Sequence, residues 1–284
     1  MTETIAVIGA GQMGNGIAHV AAQAGFAVTM IDVSADAVAR ARTTIERNLE
    51  RQVKKGTIDA ALAAATLGRI ATATDIGAVS GATVAIEAAT ERRDLKFRIF
   101  EDLDRLAPAG ALLATNTSSI SITEIAARTT RPGDVIGMHF MNPVPVMKLV
   151  EVIRGLATSD ATAARTVALA RALGKTPVEA SDYPGFIANR VLMPMINEAV
   201  YCVMEGVGTA EAVDEVMKLG MNHPMGPLAL ADLIGLDTCV AILDVLYDGL
   251  GDPKYRACPL LRKYVAAGWL GRKAGRGFYN YKGE

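Results

Sequence analysis

The sequence predicts an α/β protein, a doubly wound and largely parallel sheet followed by an all-helical C-terminal domain. Three observations predict it. An apolar run from Thr4 ends in the glycine loop Gly9-Ala10-Gly11-Gln12-Met13-Gly14. Strand and helix patterns then alternate through the first two-thirds of the chain, as a parallel sheet with crossover helices requires. After Asp182-Tyr183-Pro184-Gly185 the strand signals stop and only helical patterns follow.

The loop has the form G-x-G-x-x-G, and each glycine has a physical task. Gly9 permits the tight turn out of the strand, Gly11 lets the backbone approach a pyrophosphate, and Gly14 lets the next helix pack close to the sheet. The phosphates then sit on N–H groups at the N-terminus of that helix, around Gln12 and Met13, where the helix dipole favours anions. The next strand, residues 26–32, ends at Asp32, eighteen residues after Gly14. A carboxylate there suits the adenosine ribose hydroxyls and repels a 2′-phosphate. The expected cofactor is NAD, with NADP disfavoured. The plainer alternative is a strand-turn-helix with a capping Asp. Together these features make the first domain Rossmann-like.

Further strands are expected at 69–73, 82–87, 111–115, 134–140, 147–153 and 176–180. A long helix is expected at 34–55 and a second at 58–67, more than a minimal crossover needs. The long helix carries Arg47, Arg51, Lys54 and Lys55 at i, i+4, i+7 and i+8, hence on one face. Such a face is usually a solvated one; the alternative is a docking site for a phosphorylated ligand. Beyond Pro184-Gly185, helices are expected at 186–205, 209–219, 226–249 and 256–267. The domains are therefore drawn as 1–184 and 185–284. The apolar helices of the second exceed what so small a unit can bury, so a homodimer through it is expected.

Composition excludes several classes. The chain has 284 residues and is 51% hydrophobic, yet no apolar segment is long enough to span a bilayer, so no membrane role is expected. The first strand begins by residue 4 or 5, so no targeting peptide is expected. The three cysteines, Cys202, Cys239 and Cys258, form no metal pattern, and a reduced cytoplasmic protein is expected. A net charge of −1 gives no reason to expect nucleic acid.

Of the three histidines, His19 and His223 read as structural. His139 differs. It sits near the end of one apolar run, and a second run, residues 147–153, follows a proline-containing turn. If the runs fold back antiparallel about Pro145, residues i and 290−i face one another. His139 then opposes Glu151, with Cβ atoms about 5 Å apart. Glu151 is flanked by Val150 and Val152, and a buried carboxylate needs a partner. The pair is either a structural contact inside a sheet or a catalytic dyad. In a dyad, Glu151 orients the imidazole and His139 exchanges a proton with an alcohol or ketone. Hydride transfer to NAD needs such a group. Thr115 to Ser119 offer hydroxyl donors at the C-terminal end of a strand, where open α/β sheets bind ligands, or they cap the next helix. Asn189 offers a further donor.

These residues resemble the L-3-hydroxyacyl-CoA dehydrogenase family, and the similarity covers nearly the whole chain. It runs from the glycine loop through Asn116-Thr117-Ser118-Ser119 and His139-Phe140-Met141-Asn142-Pro143. It continues in Asp182-Tyr183-Pro184-Gly185-Phe186-Ile187-Ala188-Asn189-Arg190 and Asn222-His223-Pro224-Met225-Gly226-Pro227. It ends in the tail Gly271-Arg272-Lys273-Ala274-Gly275-Arg276-Gly277-Phe278-Tyr279. The resemblance implies that His139 is the general acid/base with Glu151 as partner. It implies that Ser118 and Asn189 polarise the substrate oxygen. Glu91, Lys96, Ser118 and Asn142 are implied to surround the nicotinamide half of NAD, with Lys273 reaching the cofactor from the tail. Residues 34–67 match the family's coenzyme A-binding element, which shifts the reading of Arg51 and Lys55 towards CoA phosphate contacts, with Ser118 also facing the acyl-CoA. The implied reaction is interconversion of short-chain (S)-3-hydroxyacyl-CoA, such as (S)-3-hydroxybutyryl-CoA, and acetoacetyl-CoA. The rival readings are a dehydrogenase of another hydroxy acid, such as a sugar acid, and a non-catalytic NAD-binding protein.

Overall fold

A computed structural model of the chain describes residues 3–281. It divides into two compact units, one up to Asp182 and one from Tyr183.

Unit 1 holds a single eight-stranded sheet. Its strands are β1 (Thr4–Ile8), β2 (Ala27–Ile31), β3 (Ile70–Ala73), β4 (Val84–Glu87), β5 (Leu112–Thr115), β6 (Val135–Phe140), β7 (Leu149–Arg154) and β8 (Thr176–Ser181). The spatial order is β3-β2-β1-β4-β5-β6-β7-β8. All neighbours are parallel except β6 and β7, which form an antiparallel hairpin. The helices are α1 (Gln12–Gln23), α2 (Ala35–Lys54), α3 (Ala60–Gly68), α4 (Arg93–Leu106), α5 (Ile122–Ala126) and α6 (Asp160–Ala172). β4, β5 and β6 are buried at every residue, as inner strands covered on both faces must be. α2 begins at Ser34, whose hydroxyl accepts the Ala37 N–H. It buries Val38, Ala41, Ile45 and Leu49, spaced i, i+3, i+7 and i+11, and leaves the basic residues on the open face. The strand order reverses between β1 and β4, and the crevice at that switch point is where such sheets bind ligands.

Unit 2 is helical: α7 (Ala188–Met204), α8 (Ala210–Glu215), α9 (Pro227–Ile234), α10 (Leu236–Leu250) and α11 (Pro259–Ala266). Its core includes Met193, Ile196, Val200, Leu228, Leu243 and Leu261. Two expectations need correction. The single helix expected at 226–249 is two helices, because Gly235 adopts φ +103°, a left-handed conformation that breaks the α-helical run. The helix expected at 209–219 ends at Glu215 and widens into a π turn over Val216–Gly220. The tail is tied back by two buried carboxylates. Asp232 accepts the N–H groups of Phe278 and Tyr279 at 3.0 Å each. Asp214 accepts the Leu228 and Ala229 N–H groups at the start of α9, and the Tyr279 hydroxyl at 2.8 Å.

Candidate active site

β1 delivers the chain into the glycine loop, and the loop into α1. Gly9 has φ +105°, and a Cβ on it would lie 2.6 Å from the Ala88 carbonyl oxygen. A Cβ on Gly14 would lie 1.8 Å from the Gly9 oxygen, so only glycine lets α1 close onto the loop. Gly11 has open space where its Cβ would be, and no side chain caps the N-terminus of α1. The uncapped N–H groups and the unobstructed backbone fit a pyrophosphate. Asp32 stands at the end of β2 beside this loop. Its Oδ2 accepts the Ala10 N–H at 2.8 Å and its Oδ1 the Ser34 N–H at 2.9 Å. The same carboxylate that suits a ribose therefore also holds the loop in shape.

The β6–β7 hairpin pairs Gly137 with Ile153, Met138 with Val152, His139 with Glu151, and Phe140 with Val150. Every pair sums to 290, the register expected from the Pro145 turn. His139 Nδ1 lies 2.8 Å from Glu151 Oε2. The histidine is 8% exposed and the glutamate 2%. A carboxylate this buried against an imidazole fixes which ring nitrogen is engaged. Asn116, just after β5, accepts the Phe140 N–H on its Oδ1 at 2.9 Å, which ties the end of β5 to the residue after His139 in β6. Gln12, the first residue of α1, donates to Asn142 Oδ1 at 3.1 Å and links the glycine loop to the hairpin turn.

A second cluster lies at the ends of β4 and β5. Glu91 Oε1 accepts from the Thr117 hydroxyl at 2.5 Å, the Ser118 N–H at 3.0 Å, the Ser118 hydroxyl at 3.3 Å and the Ser119 hydroxyl at 3.0 Å. Lys96 Nζ sits 3.3 Å from its other oxygen. Desolvation pushes the Glu91 carboxyl up, but the Lys96 ammonium and these hydroxyl and amide donors together hold it below the ordinary glutamate range. Lys96 is fully buried and pairs with Glu87, also fully buried, at 2.7 and 2.9 Å. Glu87 is satisfied further by the Thr115 hydroxyl at 2.6 Å and the Ala89 N–H at 2.7 Å. Sequence reasoning missed Glu87. The signal was there, a lone acid at the end of the apolar strand Val84-Ala85-Ile86, the same pattern that singled out Glu151.

The remaining expected site residues are spread over both units. In unit 1, Arg47, Arg51, Lys54 and Lys55 lie exposed, and among the described residues none of them pairs with a carboxylate. Arg51 donates to the Asn48 side chain at 2.6 Å. In unit 2, Asn189 is buried in the first turn of α7, and Lys273 pairs with Asp237 at 2.6 Å. His19 is buried within unit 1, and its neutral form is favoured first by burial. The three cysteines are free, and burial pushes the Cys239 thiol up to about 12. No group of three metal-ligating side chains occurs among the described residues.

Comparison with known proteins decides the family. Residues 4–183 match the 3-hydroxyacyl-CoA dehydrogenase NAD binding domain, and residues 185–281 match the 3-hydroxyacyl-CoA dehydrogenase C-terminal domain. The chain belongs to the 3-hydroxyacyl-CoA dehydrogenase family. It is 59% identical to a probable 3-hydroxybutyryl-CoA dehydrogenase of Bacillus subtilis, over 98% of this chain and 97% of that one. It is 54% identical to a 3-hydroxybutyryl-CoA dehydrogenase of Bradyrhizobium diazoefficiens, over 98% and 95%. The crystal structure of (S)-3-hydroxybutyryl-CoA dehydrogenase from Ralstonia eutropha superposes with a TM-score of 0.97 at 50% identity, covering 99% of this chain and all of that one. The chain is thus an oxidoreductase of this family with an NAD-binding domain, and among the described residues no helix is long and apolar enough to cross a membrane.

Proposed function

We propose that this dehydrogenase interconverts (S)-3-hydroxybutyryl-CoA and acetoacetyl-CoA, with His139 as the proton-transfer group. The observation that carries the reading is the buried 2.8 Å contact between His139 and Glu151 on a hairpin linked to the dinucleotide loop. The names of the relatives support the substrate.

The cofactor fits the chain's own groups. The backbone from Gly9 to Gly14 holds the pyrophosphate and Asp32 the adenosine ribose, and the negative charge of Asp32 favours NAD over NADP. Glu91, Lys96, Ser118, Asn142 and Lys273 serve the nicotinamide half, Lys96 from beneath Glu91. Bound NAD supplies the hydride acceptor. With Nδ1 engaged by Glu151, the ring exchanges its proton through Nε2. In the oxidative direction His139 takes the hydroxyl proton as the carbinol carbon loses hydride. In reduction the imidazolium returns a proton to the carbonyl oxygen. Glu151 stabilises the imidazolium in both directions. Ser118 and Asn189 bind and polarise the substrate oxygen. Arg51 and Lys55, on the outer face of α2, meet the phosphates of CoA, and the helical pair at 34–67 is the CoA-binding element.

NADH oxidation measured with acetoacetyl-CoA and with free acetoacetate tests the substrate class. Robust turnover of the thioester alone is expected, and turnover of only the free acid contradicts the reading. In the same assay an R51A/K55A double variant raises KM for acetoacetyl-CoA with kcat retained, since contacts remote from the reacting carbon act through binding. An unchanged KM removes these two residues from the CoA site.

A further inference from the structure

Gly16 lies outside the glycine fingerprint, in the body of α1. Its conformation there is ordinary helix, and glycine inside a helix is destabilising relative to alanine. Something other than backbone freedom keeps the side chain out. A Cβ at this position would lie 2.8 Å from Val144 Cβ and 3.0 Å from Val144 Cγ2. Val144 is buried in the turn of the catalytic hairpin.

The same face of α1 meets that turn along its length, because residues 12, 16 and 19 are spaced i, i+4 and i+7. Gln12 bonds Asn142 at 3.1 Å, and Gly16 admits Val144. His19, one turn further on, is held neutral mainly by burial and also by the charge of Lys175. Lys175 itself donates to the carbonyls of Val144 at 2.5 Å and Met147 at 2.8 Å. The turn that sets the His139 register is therefore anchored to the cofactor helix at two points and fixed by an ammonium at a third.

We infer that Gly16 is a positioning residue: its missing side chain seats Val144 against α1 and so fixes the distance between the cofactor helix and His139. The inference rests on the reading of His139 as the proton-transfer group. Its mechanical content is separate. Any atom added between α1 and the turn moves the hairpin relative to the dinucleotide, while the close contacts that shape the phosphate-binding loop, Gly9 against Ala88 and Gly14 against Gly9, are left as they are.

The test is a set of variants, G16A, V144G, G16A/V144G and H139Q. Each is assayed for kcat and KM with acetoacetyl-CoA, for the NADH dissociation constant by fluorescence titration, and for folding by circular dichroism. G16A is expected to lower kcat about 10- to 100-fold while KM and NADH affinity stay within about 2-fold, since a displacement near 1 Å is enough for such a loss. V144G alone loses less than G16A, and G16A/V144G regains part of the loss because both the valine Cβ and the Cγ2 methyl that meet the new Cβ are gone. Unchanged kcat in G16A overturns the inference, as does a double variant no better than G16A. NADH affinity that falls in step with kcat also overturns it, because the damage would then lie in the phosphate loop. If G16A does not fold, V144I presses on the same gap from the hairpin side, and an unchanged kcat in it is equally fatal. H139Q separates the two readings. Retained turnover in H139Q removes the proton-transfer reading and the inference with it, whereas loss in H139Q with normal G16A removes only the positioning role.

Discussion

At the residue scale the site is a set of charges whose partners decide their state. Glu91 shows how. Four donor contacts converge on one of its oxygens and Lys96 faces the other, so its pKa stays below the ordinary value of 4.5 despite desolvation. A carboxyl whose pKa is lower in the folded state stabilises the fold above its unfolded pKa, and that contribution is lost as pH falls through the folded value. The melting temperature of E91Q should therefore lie below that of the wild type above pH 4.5, and the gap should close as the pH is lowered further. A gap independent of pH would show that the carboxylate is not held ionised by these contacts. Single residues also mark where sequence is legible. His139 and Glu151 could be paired in advance because a two-residue period and one proline turn determine which side chains oppose each other. Glu87 could not be paired with Lys96, since a lysine in the first turn of an amphipathic helix reads as a surface charge until the tertiary packing closes over it.

At the element scale, β4 and α4 are joined by the Glu87–Lys96 pair, both members wholly buried. Breaking a buried pair by removing one partner costs about 3–5 kcal/mol, whereas replacing both by apolar groups is often neutral. K96M should lower stability by roughly that amount in urea unfolding, and E87L/K96M should recover most of it. A K96M loss below about 1 kcal/mol would mean that Glu87 is satisfied without the lysine. The strands of unit 1 were readable, although β3, β4 and β5 are four residues each, because they are apolar runs that alternate with helical patterns. The helices of unit 2 were less so. Residues 226–249 carry a continuous helical pattern, and nothing local announces that Gly235 turns left-handed there. A Cβ on Gly235 would also lie 2.9 Å from the end of Lys273, which arrives from the tail more than thirty residues later.

At the scale of the whole molecule, the glycine loop and the hairpin proposed to carry proton transfer are built on one sheet, the loop after β1 and the hairpin on β6 and β7. The sheet order places them at the same C-terminal edge, which is the arrangement expected of an open α/β fold. Unit 2 carries exposed Val191, Val207, Val216, Leu219, Met221 and Leu233. So much apolar surface on a helical unit of about 100 residues supports the proposal that two copies pair through it. Sedimentation at micromolar concentration should show a dimer, and a stable monomer would contradict it. The family was legible only through motifs in fixed order along the chain, because pocket chemistry is assembled from residues far apart in sequence.

The most direct measurement is the turnover of H139Q with NADH and acetoacetyl-CoA, taken together with its NADH dissociation constant. The predicted result is a kcat lower by about 10²- to 10⁴-fold, the span of general acid–base catalysis, with NADH affinity unchanged. A kcat equal to that of the wild type, in a protein that binds NADH normally, would contradict the assignment of His139 as the proton-transfer group.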